Sequence, residues 1–276
     1  RDYYASRGLG DVYKRQTWVG QGKDLKTFSV ISKNNFGIVE VVPYDNKVDD
    51  EQKKRYYFRC GELLAILYSL NASDMHCENL IASGEYPVII DCETVISPFE
   101  TKDKAALQLM EKTESLKRTG LLPLYIGSGS EKVEMGGIGT TENQRTPYKT
   151  YTVRNKGQSD INLVFDYQEV KKEKNTFGGE LNKKNIEDIE RGFHYAYMIL
   201  MEHRDEYAKL VTTYFEDVQI RVILKSTAVY STLLGLTYHP DILMDNLSQR
   251  IILCKDYVAV SYTHLRANET RSNLVC

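Results

Sequence analysis

Asp74-Met75-His76-Cys77-Glu78-Asn79, followed by Asp91-Cys92-Glu93, is the stretch on which the reading of the fold turns. Asp74 and Asn79 stand five residues apart, and Asp91 follows Asn79 by twelve, at the end of the apolar run Tyr86-Pro87-Val88-Ile89-Ile90. Phosphoryl transfer from a nucleotide needs such a set: a carboxylate beside the attacking hydroxyl, then an Asn and a second Asp that hold Mg²⁺ against the phosphates. On that reading Asp74 takes the hydroxyl proton, while Asn79 and Asp91 are the metal ligands. Leu80-Ile81-Ala82 and Val88-Ile89-Ile90 read as two short strands around the turn-forming cluster Ser83-Gly84-Glu85. A hairpin brings its two ends together, so Asn79 at its entrance and Asp91 at its exit can face one ion. The competing reading is a surface loop of solvated acids, the usual place of Asp and Glu.

The five-residue interval is the one that the catalytic loop of protein kinases keeps between its Asp and its Asn, with a metal-binding Asp further along the chain. What surrounds the motif agrees in order. Thr27–Ile31 and Phe36–Val42 are β-rich runs separated by Ser32-Lys33-Asn34-Asn35, a plausible hairpin. From Glu51 the pattern changes to Tyr57, Cys60, Leu63, Leu64, Leu67 and Leu70, the stripe of a mainly buried helix that ends at Asn71 and delivers the chain into Asp74.

Beyond the motif, Thr101–Lys117 reads as a charged amphipathic helix. Gly136-Gly137-Ile138-Gly139 has no Gly-Lys-Ser/Thr after it and reads as a loop, not a phosphate cradle. Lys171–Lys184 reads as a solvated charged connector. Two helices follow, one with Ile186, Ile189, Phe193, Tyr197 and Leu200 on a face, the other with Tyr207, Leu210, Val211, Tyr214 and Phe215; His194 and His203 among them read as structural or exposed. Val218–Leu224 is a buried extended run that carries Arg221, whose guanidinium needs an ion-pair partner or an anionic ligand. Thr227 and Tyr230 open a further helix through Leu236.

Composition limits the classes. The chain has 276 residues, 42% hydrophobic and 27% charged, enough for a substantial core. A formal charge of −2 without a long basic block argues against a nucleic-acid partner and for a peptide or small molecule. The five cysteines form no C-x-x-C pair and suggest neither a disulfide framework nor a zinc site. With no run of eighteen apolar residues and no signal-peptide shape, a soluble cytoplasmic protein without a membrane span is the expectation. Residues 1–16 and 261–276 lack any period and read as linker-derived sequence, which leaves 17–260 as a natural piece cut at both ends.

Three blocks resemble the dehydratase domain of type 2 lantibiotic synthetases, the LanM enzymes: Tyr56-Tyr57-Phe58-Arg59-Cys60-Gly61-Glu62-Leu63-Leu64, Asp74–Ala82 and Tyr86–Thr94. Arg221 with Thr227 and Tyr230, then His239-Pro240-Asp241, are similar as well, and Asn35–Glu40 looks like a degraded aromatic-Gly-Trp-Val-Glu segment. The resemblance implies an α+β, lipid-kinase-like catalytic lobe, truncated at both ends, over residues 17–260. It implies an enzyme that phosphorylates Ser and Thr of a ribosomally made precursor peptide with ATP and Mg²⁺, then eliminates phosphate to leave dehydroalanine and dehydrobutyrine. Asp74, His76, Asn79, Asp91 and Glu93 match its phosphorylation residues; Arg221 and Thr227 match its elimination residues.

Departures from the family are specific. Its ATP-contacting Lys and an upstream Asp-x-His pair have no match, since Lys23, Lys26 and Lys33 do not replace the Lys, and Lys225 stands where a second Arg is expected. The family's zinc cyclase domain, expected in the full-length protein, has no counterpart in these residues. The alternatives are a protein or lipid kinase, against which His76 and Asp91-Cys92-Glu93 count, and a non-catalytic, peptide-binding pseudokinase module.

Overall fold

The computed structural model describes residues 25–33, 36–96, 116–128, 131–140, 144–146, 149–155, 157–160, 162–171, 173–177, 179–215, 244 and 246–247. Within them the chain is α+β, with three α-helices and four two-stranded antiparallel sheets. The readings for residues 1–16, 101–115, 218–236, 239–241 and 261–276, Arg221, Thr227 and Tyr230 included, lie outside the described residues.

Helix α1, Asp50–Ser69, forms the centre. It starts on a reciprocal cap: the Gln52 amide donates to Asp49 Oδ1 at 2.7 Å and the Asp49 amide donates to Gln52 Oε1 at 2.9 Å. Two backbone donors that a helix start leaves open are thereby satisfied, worth about 1 kcal/mol. From Tyr56 to Leu67 every residue except Phe58 is buried, so this half of the helix is core on all sides. It stops where Asn71 turns to φ +62° and the Ala72 amide reaches back to Leu67 O at 2.9 Å. Around it pack Met75, Leu80, Leu121, Ile138, Ile189 and Tyr207.

Helix α2, Lys183–Glu202, crosses α1 at two glycines. A Cβ on Gly61 would stand 2.0 Å from Ile189 O, and one on Gly192 would stand 1.9 Å from Phe58 O. The helices therefore meet backbone to backbone. The buried face of α2 consists of Asp188, Ile189, Gly192 and Ala196; Ile186, expected on it, is exposed, and Phe193, Tyr197 and Leu200 are only half-buried, because the face that meets α1 is turned round the helix from the predicted stripe. His194 is exposed and His203 half-buried, as read. Helix α3, Arg204–Phe215, buries Tyr207, Leu210, Val211 and Phe215 as its stripe predicts.

The first hairpin is shorter than expected: β1, Val30–Ser32, pairs with β2, Gly37–Val39, in the register Ile31↔Ile38. Past Glu40 the ladder ends, and Val41 is exposed. The second hairpin, β3 (Leu80–Ser83) with β4 (Tyr86–Ile89), turns through Gly84 at φ +61°, a conformation that glycine adopts without strain. Its turn is clamped to α1. The buried Arg59 donates to Glu85 O at 2.8 Å and to Glu85 Oε1 at 3.1 Å, Arg55 pairs with the other carboxylate oxygen, and the Arg59 guanidinium lies 4.1 Å over the Tyr86 ring. Burial would raise the Glu85 carboxyl, but the two guanidiniums outweigh it and hold it below its ordinary value.

A 3₁₀ turn at Leu116–Thr119 leads to β5 (Tyr125–Ser128) and β6 (Glu131–Glu134), and then to β7 (Thr150–Arg154) and β8 (Asn162–Asp166). No helix among the described residues is long and apolar enough to cross a membrane.

Candidate functional site

The chain leaves α1, turns at Asn71 and reaches Asp74, whose own φ is +64°. That left-handed conformation costs an L-residue about 1–2 kcal/mol and is borne best by Asn and Asp among side-chain-bearing residues. It turns the Asp74 side chain outward, 54% exposed, with Oδ1 3.7 Å from His76 Nε2. Asn79 folds back under the loop: its Nδ2 donates to Asp74 O at 2.8 Å and stands 3.4 Å from His76 Nε2. Since that amide nitrogen faces inward, the amide oxygen is the atom left for a ligand.

The Glu78 amide donates to His76 Nδ1 at 3.2 Å. Nδ1 thus accepts a backbone amide, while Nε2 faces both Asp74 Oδ1 and the Asn79 amide nitrogen. The Ile90 amide donates to Asn79 O at 3.0 Å, which closes the β3–β4 hairpin and sets Asp91 next to Asn79 in space. Asp91 Oδ1 then accepts the Glu93 amide at 3.1 Å, a local turn that fixes the carboxylate. Asp74, His76 and Asn79 therefore lie on the loop after α1, and Asp91 and Glu93 at the exit of the β3–β4 hairpin. Among the described residues no three His, Cys, Asp or Glu side chains form a metal cage. Asn79 and Asp91 together offer hard oxygen donors, a set suited to Mg²⁺ that is also held by phosphate.

The opposite side of the loop rests on glycines. Met75 donates to Thr119 O at 2.8 Å, Cys77 donates to Met135 O at 3.0 Å, and His76 forms an isolated antiparallel bridge with Gly136. A Cβ on Gly137 would lie 2.4 Å from Met75 O. Gly136–Gly139 is thus a loop, as read, but a buried one that packs on the candidate catalytic loop. Glu134 holds it, Oε1 accepting the amides of Leu124 at 2.9 Å and Gly136 at 2.6 Å. Burial raises the Glu134 carboxyl above its ordinary value against those two donors. Burial likewise pushes the Cys77 thiol up to about 12, with the charges of Glu173, Glu78 and Glu134 acting in the same direction, which makes it no nucleophile near neutral pH.

The segment Lys171–Lys184, expected to be solvated throughout, is corrected in part. Asn175 and Thr176 are buried, and Phe177 packs edge-on against Tyr56. Sequence reasoning missed this strap; the uncharged run Asn175-Thr176-Phe177 inside a charged stretch was its one visible sign. Lys26, set aside as a nucleotide-contacting Lys, instead donates to Ser83 Oγ at 3.1 Å at the far end of the hairpin.

Comparison with known proteins bears on this arrangement. A family model described as Domain of unknown function (DUF4135) matches residues 5–272. The Lacticin 481/lactococcin biosynthesis protein LcnDR2 of Lactococcus lactis subsp. lactis is 26% identical over 255 residues, which cover 86% of this chain and 26% of that protein. The chain thus spans about a quarter of the length of that relative.

Proposed function

Because the chain belongs to the DUF4135 family and is related to a protein of lacticin 481 biosynthesis, we propose that it supplies the dehydratase activity of a lanthipeptide synthetase. The substrate is a ribosomally made precursor peptide whose Ser and Thr are first phosphorylated and then lose phosphate. The kinase-like lobe inferred from the motifs is part of this proposal. The observation that carries it is the closure of Asn79 onto Asp74 O and onto Ile90, which gathers a candidate base and two oxygen ligands at one hairpin mouth.

In the first half-reaction the Ser or Thr hydroxyl oxygen bonds to the γ-phosphorus, the bond to the ADP oxygen breaks, and Asp74 receives the hydroxyl proton. ATP with Mg²⁺ supplies the phosphoryl group and neutralises its charge. Asn79 and Asp91 would hold the ion, and His76, beside Asp74, would position the phosphate. In the second half-reaction a base takes the Cα proton, the C–H electron pair forms the Cα–Cβ double bond, and the Cβ–O bond breaks as phosphate departs with its electron pair. Arg221 and Thr227, assigned to that step by the family resemblance, provide a bidentate cation and a hydroxyl for the leaving group.

The test is incubation with ATP, Mg²⁺ and a Ser/Thr/Cys-rich precursor peptide, read by mass spectrometry. Loss of water from the peptide supports the dehydratase. Stable added phosphate without water loss makes the chain a kinase, and ATP·Mg²⁺ binding with an unchanged peptide makes it a binding module. Arg221→Ala should let phosphopeptide accumulate; equal loss of both products would place Arg221 in the fold instead.

A further inference from the structure

We propose that Asn175 is a positioning residue for the Asp74–Asn79 loop, acting through the glycine loop; the inference rests on the function proposed above. Its side chain is 1% exposed, and both hydrogens of its amide nitrogen are used: Nδ2 donates to Gly137 O and to Gly139 O, each at 2.8 Å. A group that spans two carbonyls two residues apart fixes the curvature of the loop between them.

The strap that carries Asn175 is anchored on the core side. Asn175 O accepts the Tyr56 hydroxyl, Lys174 O accepts the Ala82 amide at 2.8 Å, and Thr176 O accepts the Tyr44 hydroxyl at 2.9 Å. Helix α1, strand β3 and the glycine loop thus meet at two adjacent residues, Lys174 and Asn175. From the glycine loop the restraint passes to the site by backbone contact. Gly137 touches Met75 O, Gly136 bridges His76, and Met135 O accepts the Cys77 amide. The residues on both sides of His76 are held, and the directions of Asp74 and His76 follow from them. Removing the side chain leaves two buried carbonyls without donors, which the loop can satisfy only by opening toward water.

The experiment uses the full chain, unmodified and as Asn175→Ala, with amide hydrogen exchange resolved by residue and peptide phosphorylation measured on the same preparations. Exchange at Cys77, Gly137 and Ile138 should rise by about tenfold or more while amides of α2 keep their protection, a local loosening. Phosphorylation should lose about tenfold in kcat with KM for ATP changed by less than about twofold, the sign of a misplaced base. Asn175→Asp, of equal size but with acceptors aimed at the two carbonyls, should loosen the same amides at least as much. Unchanged exchange at Cys77 overturns the inference, and so does a uniform rise across α2, which would mean global destabilisation. If the unmodified chain transfers no phosphate, the proposed function fails and the exchange pattern alone decides the role of Asn175.

Discussion

Thr94 and Ser73 are bonded to each other twice: the Thr94 hydroxyl donates to Ser73 O at 2.6 Å, and the Ser73 amide donates to Thr94 O at 3.1 Å. Ser73 precedes Asp74, and Thr94 closes the turn that holds Asp91 and Glu93. The pair therefore locks the spacing between the candidate base and the candidate metal ligand. Thr94→Val keeps the shape and removes the donor, at a cost of about 1 kcal/mol. Peptide phosphorylation should fall by more than that loss of stability explains, with denaturant unfolding and steady-state rates measured on one preparation.

Asp91→Asn removes the charge from the proposed principal Mg²⁺ ligand while leaving an oxygen that still accepts the Glu93 amide. Phosphorylation should be abolished with the fold intact, read as phosphopeptide yield and circular dichroism. Unchanged yield would remove Asp91 from the site.

At the helix crossing the obstacle to any side chain is backbone, which cannot swing away. Gly61→Ala should cost about 3 kcal/mol or more in denaturant unfolding, the upper end for an overpacked core. Gly37→Ala is the contrast, since the nearest atom to its Cβ would be Ile31 O at 3.6 Å and its φ is not positive. It should be neutral or stabilising by up to about 1 kcal/mol.

Glu134 predicts a pH dependence with a definite sign. Its carboxyl is raised in the folded chain, so between the unfolded and folded pKa values the folded state binds more protons than the unfolded one. Its contribution to stability is fully present below the ordinary carboxylate range and is lost as pH rises through the folded pKa. Glu134→Gln keeps an acceptor for Leu124 and Gly136 and removes the titration. Its stability relative to the unmodified chain should improve from acid toward neutral pH in urea titrations; a constant difference would mean that Glu134 does not titrate there.

Much of the site was legible because its determinants are local. A turn at Gly84 and an apolar run ending at Asp91 sufficed to find the β3–β4 hairpin that flanks the candidate site, and the stripe from Tyr57 to Leu70 located α1 to within two residues. What escaped was non-local. Nothing near Asn175 in sequence says that it will meet Gly137, 38 residues away, and a stretch rich in Lys and Glu hides a buried strap. Gly136 and Gly137 were recognised as a loop, but the loop is defined by Leu122 and Met75, which it touches through backbone alone. Ile186 fitted the stripe of α2 and is exposed, because where a helix crosses its neighbour is not encoded in its own period.

The positive φ of Asp74 bears on how the candidate base is to be probed. Lengthening the side chain to Glu is the usual way to ask whether a carboxylate must sit at one distance from its target, but Glu is a poor occupant of this backbone conformation. The exchange that looks chemically mild would therefore rearrange the loop, Asn79 and His76 with it. Asn, at home in the same conformation, removes the charge and leaves the path of the chain alone. At this position the substitution that changes the chemistry more is the one that disturbs the structure less.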